Sequence, residues 1–398
     1  MKYIVLLSDG MSGEPLEELG NRTTMEAADT PNMDRLVKDS VVGLVQTVPK
    51  GMSPGSDVAN LAALGYNPKK YYSGRSPLEA LSIGVDMKDT DVSLRMNLVT
   101  LTDEEVYEEK VITDHSSGEI TTEEAAILLE DLKVGLRHEG YDFYLGTSYR
   151  HLVIIKNGEI IDLVPPHDVL ERQIGAYLPK NQTLRDMMIK SYEILKTHPI
   201  NKKRIANGEN PANSVWFWGA GKRPELSSFK EKTGKSGVMI SAVDLLKGIA
   251  VGAGMKVAKV EGINGGLHTN YEGKALAAID SLCDKGCDFA YIHVEAPDEM
   301  GHQGLIKEKI QAIENVDKRV LKILLDELEK RDEDFRIMIL PDHPTPVAIR
   351  THTGNPVPFM IYDSTNSVRG TDTFSEKTAK KQGLLIDEGY KLIDELLK

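Results

Sequence analysis

The sequence predicts an α/β protein, a mostly parallel central sheet between helical layers, with a small α+β domain inserted into it. Three observations carry that prediction. Continuous apolar runs rich in β-branched residues, Tyr3–Leu7, Val41–Val48, Phe289–Val294 and Phe335–Leu340, read as strands buried on both faces. Helical patterns separate these runs, as parallel strands require. Carboxylates and imidazoles follow several of the runs directly, and in open α/β sheets ligands bind beyond the strand carboxyl ends.

Composition narrows the function. The chain has 398 residues and a formal net charge of −13, which argues against nucleic acid or an anionic membrane surface as partner. It leaves room for a small anionic substrate. Cys283 and Cys287, the only cysteines, read as reduced thiols. The start of the chain shows no signal pattern, and no apolar run reaches membrane-spanning length, so the expected location is cytoplasmic.

Taken in order, Tyr3–Leu7 is a strand ending at Ser8-Asp9-Gly10, with a carboxylate at its tip. Thr30 caps a helix that opens on Pro31. The Gly/Pro/Ser loop from Pro49 stops at Ser56, and Asp57–Leu64 has helical composition. Ser56 therefore stands at a helix N-terminus, where free N–H groups and the dipole favour a phosphate or an alkoxide. An N-cap serine is the commoner job for such a residue. Tyr71–Leu78 reads as a loop that brings Arg75 beside glycine and hydroxyl groups.

From about Thr102 acidic residues and hairpin signals accumulate. A capped helix starts at Thr121, strands follow at Tyr141–Leu145 and His151–Lys156, and Asn157-Gly158 turns into a third at Glu159–Ile161. Residues 105–180 read as the inserted domain, with 1–104 and 181–398 as the core. His115, Arg137, Arg150 and His151 give the insert positive groups that could face a shared cleft. Beyond it come the helix Leu184–Leu195, the aromatic strand Val215–Trp218 and the helix Lys274–Cys283. Phe289–Val294 then delivers Asp298 and His302, spaced so that one helical turn places both on one face. Phe335–Leu340 ends in Pro341-Asp342-His343-Pro344, and His352 arrives within ten residues.

Asp9, Ser56, Asp298, His302, Asp342, His343 and His352 together supply oxygen and nitrogen donors for two metal ions. The mixture suits Mn²⁺ or Zn²⁺ better than Ca²⁺. A metal pair can polarise a phosphoryl oxygen and activate a serine for which no triad is evident.

The ordered set resembles the alkaline phosphatase superfamily. Within it, Leu7-Ser8-Asp9-Gly10-Met11, Pro54-Gly55-Ser56-Asp57-Val58-Ala59-Asn60, Tyr72-Ser73-Gly74-Arg75-Ser76-Pro77, Pro297-Asp298-Glu299-Met300-Gly301-His302 and Pro341-Asp342-His343 are similar to the archaeal-type, cofactor-independent phosphoglycerate mutases. The resemblance covers nearly the whole chain. It implies an alkaline-phosphatase-like three-layer core and interconversion of 3- and 2-phosphoglycerate through a phosphoserine on Ser56, with no 2,3-bisphosphoglycerate. By the same resemblance Asp9, Ser56, Asp342 and His343 hold one ion, and Asp298, His302 and His352 the other. Mn²⁺ is the first expectation, with Zn²⁺, Co²⁺ or Mg²⁺ as alternatives. The inserted domain becomes a lid. Asp57, Arg75, His115, Arg137, Arg150 and Arg204 become candidates for substrate contact and proton transfer. A homoserine-kinase-like phosphotransferase, a phosphatase or another phosphomutase would use the same seven residues, and a non-enzymatic protein could keep the metal as a staple.

Overall fold

The computed structural model describes residues 1–398, which divide into two compact units, Met1–Tyr72 with Glu225–Lys398, and Ser73–Pro224. Thirteen strands run along the chain. The first are β1 (Lys2–Ser8) and β2 (Ser40–Val45). Next come β3 (Val92–Leu101), β4 (Ile112–Asp114), β5 (Tyr141–Tyr144), β6 (Arg150–Ile155) and β7 (Ser214–Lys222). The last six are β8 (Gly237–Ile240), β9 (Lys256–Val257), β10 (Phe289–Val294), β11 (Phe335–Leu340), β12 (Val357–Asp363) and β13 (Leu385–Ile386).

The first unit holds an eight-stranded sheet in the order β13-β2-β12-β11-β1-β10-β8-β9. Its centre is parallel, with β1 between β11 and β10; β12 alone runs against its neighbours β11 and β2. The register aligns Leu7 with Leu340 on one side and Ser8 with Val294 on the other, so these three strands end level. Asp9, Asp342 and the helix carrying Asp298 thus leave the sheet side by side. Apolar side chains such as Ile4, Leu6, Ile292 and Ile339 are fully buried and pack against the helices Tyr271–Ile279 and Ile306–Asn315. The mostly parallel α/β core read from the sequence is present.

The second unit is built on β3, which pairs antiparallel with β6 on one side and β7 on the other. Leu94, Met96 and Leu98 alternate along it and are buried in that unit's own core with Leu128, Val153 and Trp216. This unit is wider than the 105–180 insert expected from the sequence. The expectation gave both Val92–Leu101, in which it read no strand, and Val215–Trp218 to the core, whereas their mutual pairing places both in the second sheet. Two local readings also change. Arg75 opens a helix, Arg75–Ser82, rather than sitting in a loop. Glu159–Ile161 forms no strand; the hairpin partner of β6 is β5.

His151, in β6, contributes no charge to this unit. Its ring is buried, Nδ1 accepts from the Gly146 N–H at 3.2 Å, and Nε2 has no hydrogen-bond partner. Burial pushes its pKa down to about 4, so the folded protein binds fewer protons here than the unfolded chain once pH drops below about 6.5. Stability from this residue is complete above that value and falls as pH approaches 4, by about 3 kcal/mol in all. Urea unfolding at pH 7 and pH 4.5 should show a steeper acid loss for wild type than for His151→Leu. Equal losses would remove His151 from the acid response.

Candidate active site

β1 ends at Ser8, and the chain passes Asp9 and turns through Gly10, whose φ is +59°. A Cβ there would lie 2.5 Å from Asp298 Oδ1 and 2.6 Å from Thr345 Oγ1, so only glycine lets this backbone run against the two. The helix Ala296–Gln303 opens with Pro297 in its first turn and carries Asp298 and His302 on one face. His302 Nε2 is 3.2 Å from Asp298 Oδ2. β11 delivers Asp342 and His343, both fully buried. Asp342 Oδ1 accepts the Gly10 and His343 N–H groups at 3.1 and 2.9 Å, and Oδ2 accepts from Asn60 Nδ2 at 2.9 Å.

Two groups of donor atoms result, Asp9 with Asp342 and His343, and Asp298 with His343 and His352. His343 belongs to both; its Nε2 is 3.7 Å from Asp9 Oδ1 and 3.4 Å from Asp342 Oδ2, and its ring centre is 3.9 Å from that of His352. His352 Nε2 lies 3.4 Å from Asp298 Oδ1 and 2.8 Å from His302 Nε2. Ser56 begins the helix Ser56–Ala63, with Oγ 3.2 Å from His343 Nε2 and 3.5 Å from Asp9 Oδ2. All seven candidate residues therefore converge.

The donor set fits divalent cations. Ligands about 2.1 Å from a metal stand about 3.0–3.4 Å from one another, close to the spacings above. Asp9 Oδ1 is buried with no hydrogen-bond partner. Burial, then the Asp342 and Asp298 carboxylates, push the Asp9 pKa well above its ordinary value, the mark of a negative cluster short of positive charge. Burial also pushes Asp298 up, but hydrogen bonds from His302 and His352 outweigh it and hold that carboxyl low; the same bond raises His302 to about 9. Burial and neighbouring Asp298 bring Glu295 up to about 7.

Several supporting residues escaped the sequence reading. His293, inside β10, has Nε2 2.9 Å from Asp9 Oδ2 and Nδ1 3.2 Å from Ser241 Oγ, and so orients that carboxylate. A histidine within an apolar strand was the available signal. Asn60, one turn after Ser56, holds the Ser56 carbonyl at 2.8 Å and is itself held by Tyr291 Oη at 2.6 Å. Lys274 and Lys309 are buried lysines, each donating to main-chain carbonyls.

The substrate-contact candidates separate. Asp57 is buried, accepting Tyr72 Oη at 2.6 Å and the Val58 N–H at 2.9 Å. Arg75 and Arg137 are exposed, the latter lining a shallow cavity of about 600 Å³ with Lys133, His138 and Tyr141. His115 lies against Tyr149 and His167, His167 against Trp218, and Arg150 over Tyr149. His167 and Trp218 were not anticipated.

Arg204 has a structural occupation. It is buried, pairs with Glu124, and donates to the carbonyls of Ser117 at 2.7 Å and Asn210 at 2.9 Å. Arg204→Met should cost about 3–5 kcal/mol by leaving Glu124 and two carbonyls unpaired. A urea midpoint within error of wild type would refute that role.

A mostly parallel sheet with carboxylates and imidazoles gathered beyond its strand ends defines an α/β protein with a candidate metal centre at the usual ligand-binding edge. A family model described as 2,3-bisphosphoglycerate-independent phosphoglycerate mutase matches residues 38–201. The Methanosarcina barkeri 2,3-bisphosphoglycerate-independent phosphoglycerate mutase is 47% identical over the whole of both chains. Among solved structures, a Pyrococcus horikoshii protein superposes with a TM-score of 0.83 at 29% identity, covering 100% of this chain and 97% of that one. The Thermoplasma acidophilum cofactor-independent phosphoglycerate mutase gives 0.68 at 26%, covering 100% and 99%. The chain belongs to the 2,3-bisphosphoglycerate-independent phosphoglycerate mutase family.

Proposed function

We propose that the protein interconverts 3-phosphoglycerate and 2-phosphoglycerate through a phosphoserine on Ser56, in glycolysis and gluconeogenesis, in the cytoplasm. The observation that carries this reading is the place of Ser56 Oγ, at a helix N-terminus and within 3.5 Å of both His343 and Asp9. Family membership supplies the substrate class. Asp9, Ser56, Asp342 and His343 would hold one divalent ion, and Asp298, His302 and His352 the other, with Mn²⁺ the first choice. When bound, the ions supply Lewis-acid stabilisation of the phosphoryl oxygens and lower the pKa of the attacking hydroxyl.

The chain's own residues do the rest. Ser56 Oγ forms a bond to phosphorus while the bond to the departing glycerate oxygen breaks. The other glycerate oxygen then attacks the phosphoserine and releases Oγ. No phosphate is gained or lost, so 2,3-bisphosphoglycerate is not needed. Asn60 fixes the Ser56 main chain, and His293 fixes Asp9. Glycerate must be kept from exchanging with water between the two transfers, and the unit Ser73–Pro224 is assigned as the lid. His115 and Arg150, with Arg75, Arg137 and Asp57, are the proposed substrate and proton-transfer groups; His167 joins them through its contact with His115.

An enolase-coupled assay with 3-phosphoglycerate and Mn²⁺, without 2,3-bisphosphoglycerate, tests the proposal. Formation of 2-phosphoglycerate is expected. No turnover from folded, Mn²⁺-loaded protein would reject the mutase, and homoserine with ATP would be the next pair tried.

A further inference from the structure

The site described above leaves two fully buried cations unused, Lys274, which donates to the His293 carbonyl, and Lys309. Lys309, on the helix Ile306–Asn315, is 0% exposed and lies under the turn that carries the strand-end carboxylates. A buried ammonium costs several kcal/mol unless it is well paired. Lys309 finds only peptide oxygens: Nζ donates to Thr345 O at 2.6 Å and to Ser12 O at 3.3 Å.

Those two carbonyls belong to the two segments that leave β1 and β11. Ser12 follows Asp9 and Gly10, and Thr345 follows Asp342 and His343. The segments touch through the Met11–Pro344 bridge and through the Thr345 N–H, which donates to Ser12 O at 3.0 Å. Thr345 Oγ1 donates to Asp298. On its other side the Ser12-Gly13 peptide is held by Glu376, whose Oε1 accepts Ser12 Oγ at 3.0 Å and the Gly13 N–H at 3.1 Å. Ser12 is thus gripped by an ammonium at its carbonyl and by a carboxylate at its hydroxyl and at the following N–H.

We propose that Lys309 is a positioning residue that clamps the Asp9 and Asp342–His343 segments together and thereby sets the spacing of the metal donors. The proposal rests on the metal-centre reading given above. A different role is open to a buried lysine near several carboxylates, that of balancing their charge, and the two roles predict opposite signs. As a charge balance, Lys309 repels an incoming cation, and removing it tightens metal binding. As a clamp, removing it lets the donors spread and weakens binding.

The experiment is Mn²⁺ titration of metal-stripped protein, with free Mn²⁺ read by electron paramagnetic resonance, alongside thermal unfolding of the metal-free forms. Lys309→Met is expected to weaken Mn²⁺ binding by about 10- to 100-fold, as loss of an outer-sphere support does. Lys309→Gln keeps a donor without the charge and should recover part of the loss, to within about threefold of wild type. A merely structural lysine would lower the unfolding temperature and leave the Mn²⁺ affinity alone. Affinity equal to or tighter than wild type in Lys309→Met overturns the clamp. Should that variant not fold, Lys309→Gln decides, an affinity tighter than wild type, as loss of a repelling charge would give, overturning the clamp. Wild-type protein that binds no Mn²⁺ would instead overturn the metal centre and the clamp with it.

Discussion

Ser56→Ala is expected to reduce the interconversion of 3- and 2-phosphoglycerate by at least about 10⁴-fold, because the proposed route makes and breaks its one covalent bond at that oxygen. The fold should survive. Oγ lies at the start of its helix and is not the N-cap acceptor, and the Asn60 bond goes to the Ser56 carbonyl, which alanine keeps. Acid-quenched protein incubated with substrate carrying labelled phosphate should hold label in wild type and none in the variant. Activity within tenfold of wild type would end the phosphoserine route, and label retained by the variant would place the phosphoryl group elsewhere.

Gly10→Ala should be nearly as damaging, for a different reason. A non-glycine residue at φ +59° costs about 1–2 kcal/mol on the backbone alone. The added Cβ would also stand 2.5 Å from Asp298 Oδ1 and 2.7 Å from Asp298 Cα. The second contact is with main chain and cannot be relieved by a rotamer change, so Asp298 must move relative to His302 and His352. A total loss of about 2–4 kcal/mol in urea unfolding and a 10- to 100-fold fall in Mn²⁺ affinity are expected. Gly20→Ala is the control: φ is +66° and nothing lies within 4 Å of a Cβ, so it should show the backbone cost and leave metal binding unchanged. Unaltered Mn²⁺ affinity in Gly10→Ala would remove the turn from the metal site.

Much of the first unit was legible because its strands are buried on both faces and therefore read as unbroken apolar runs. Tyr3–Leu7 and Phe335–Leu340 fall within β1 and β11, and the polar residues that end them stand out against the run. The Asp298–His302 spacing is also a local property, fixed once a helix forms. The second unit was harder. Val92–Leu101 alternates, with Leu94, Met96 and Leu98 buried among polar neighbours, and went unread; with it went the pairing that assigns β7. Arg204 shows the limit at a single residue. Only the placement of Glu124, Ser117 and Asn210 tells a buried structural arginine from one that faces a substrate.

By itself the sequence determined the α/β class, the residues proposed to hold metal and the serine placed at a helix start, since each depends on periodicity or on neighbours a turn apart. The tertiary structure alone decided which donors share an ion-sized space, that His343 belongs to both groups, and that Gly10, His293, Asn60 and Lys309 stand around them. Those relations join residues hundreds of positions apart through the register of parallel strands, and no local pattern encodes a register.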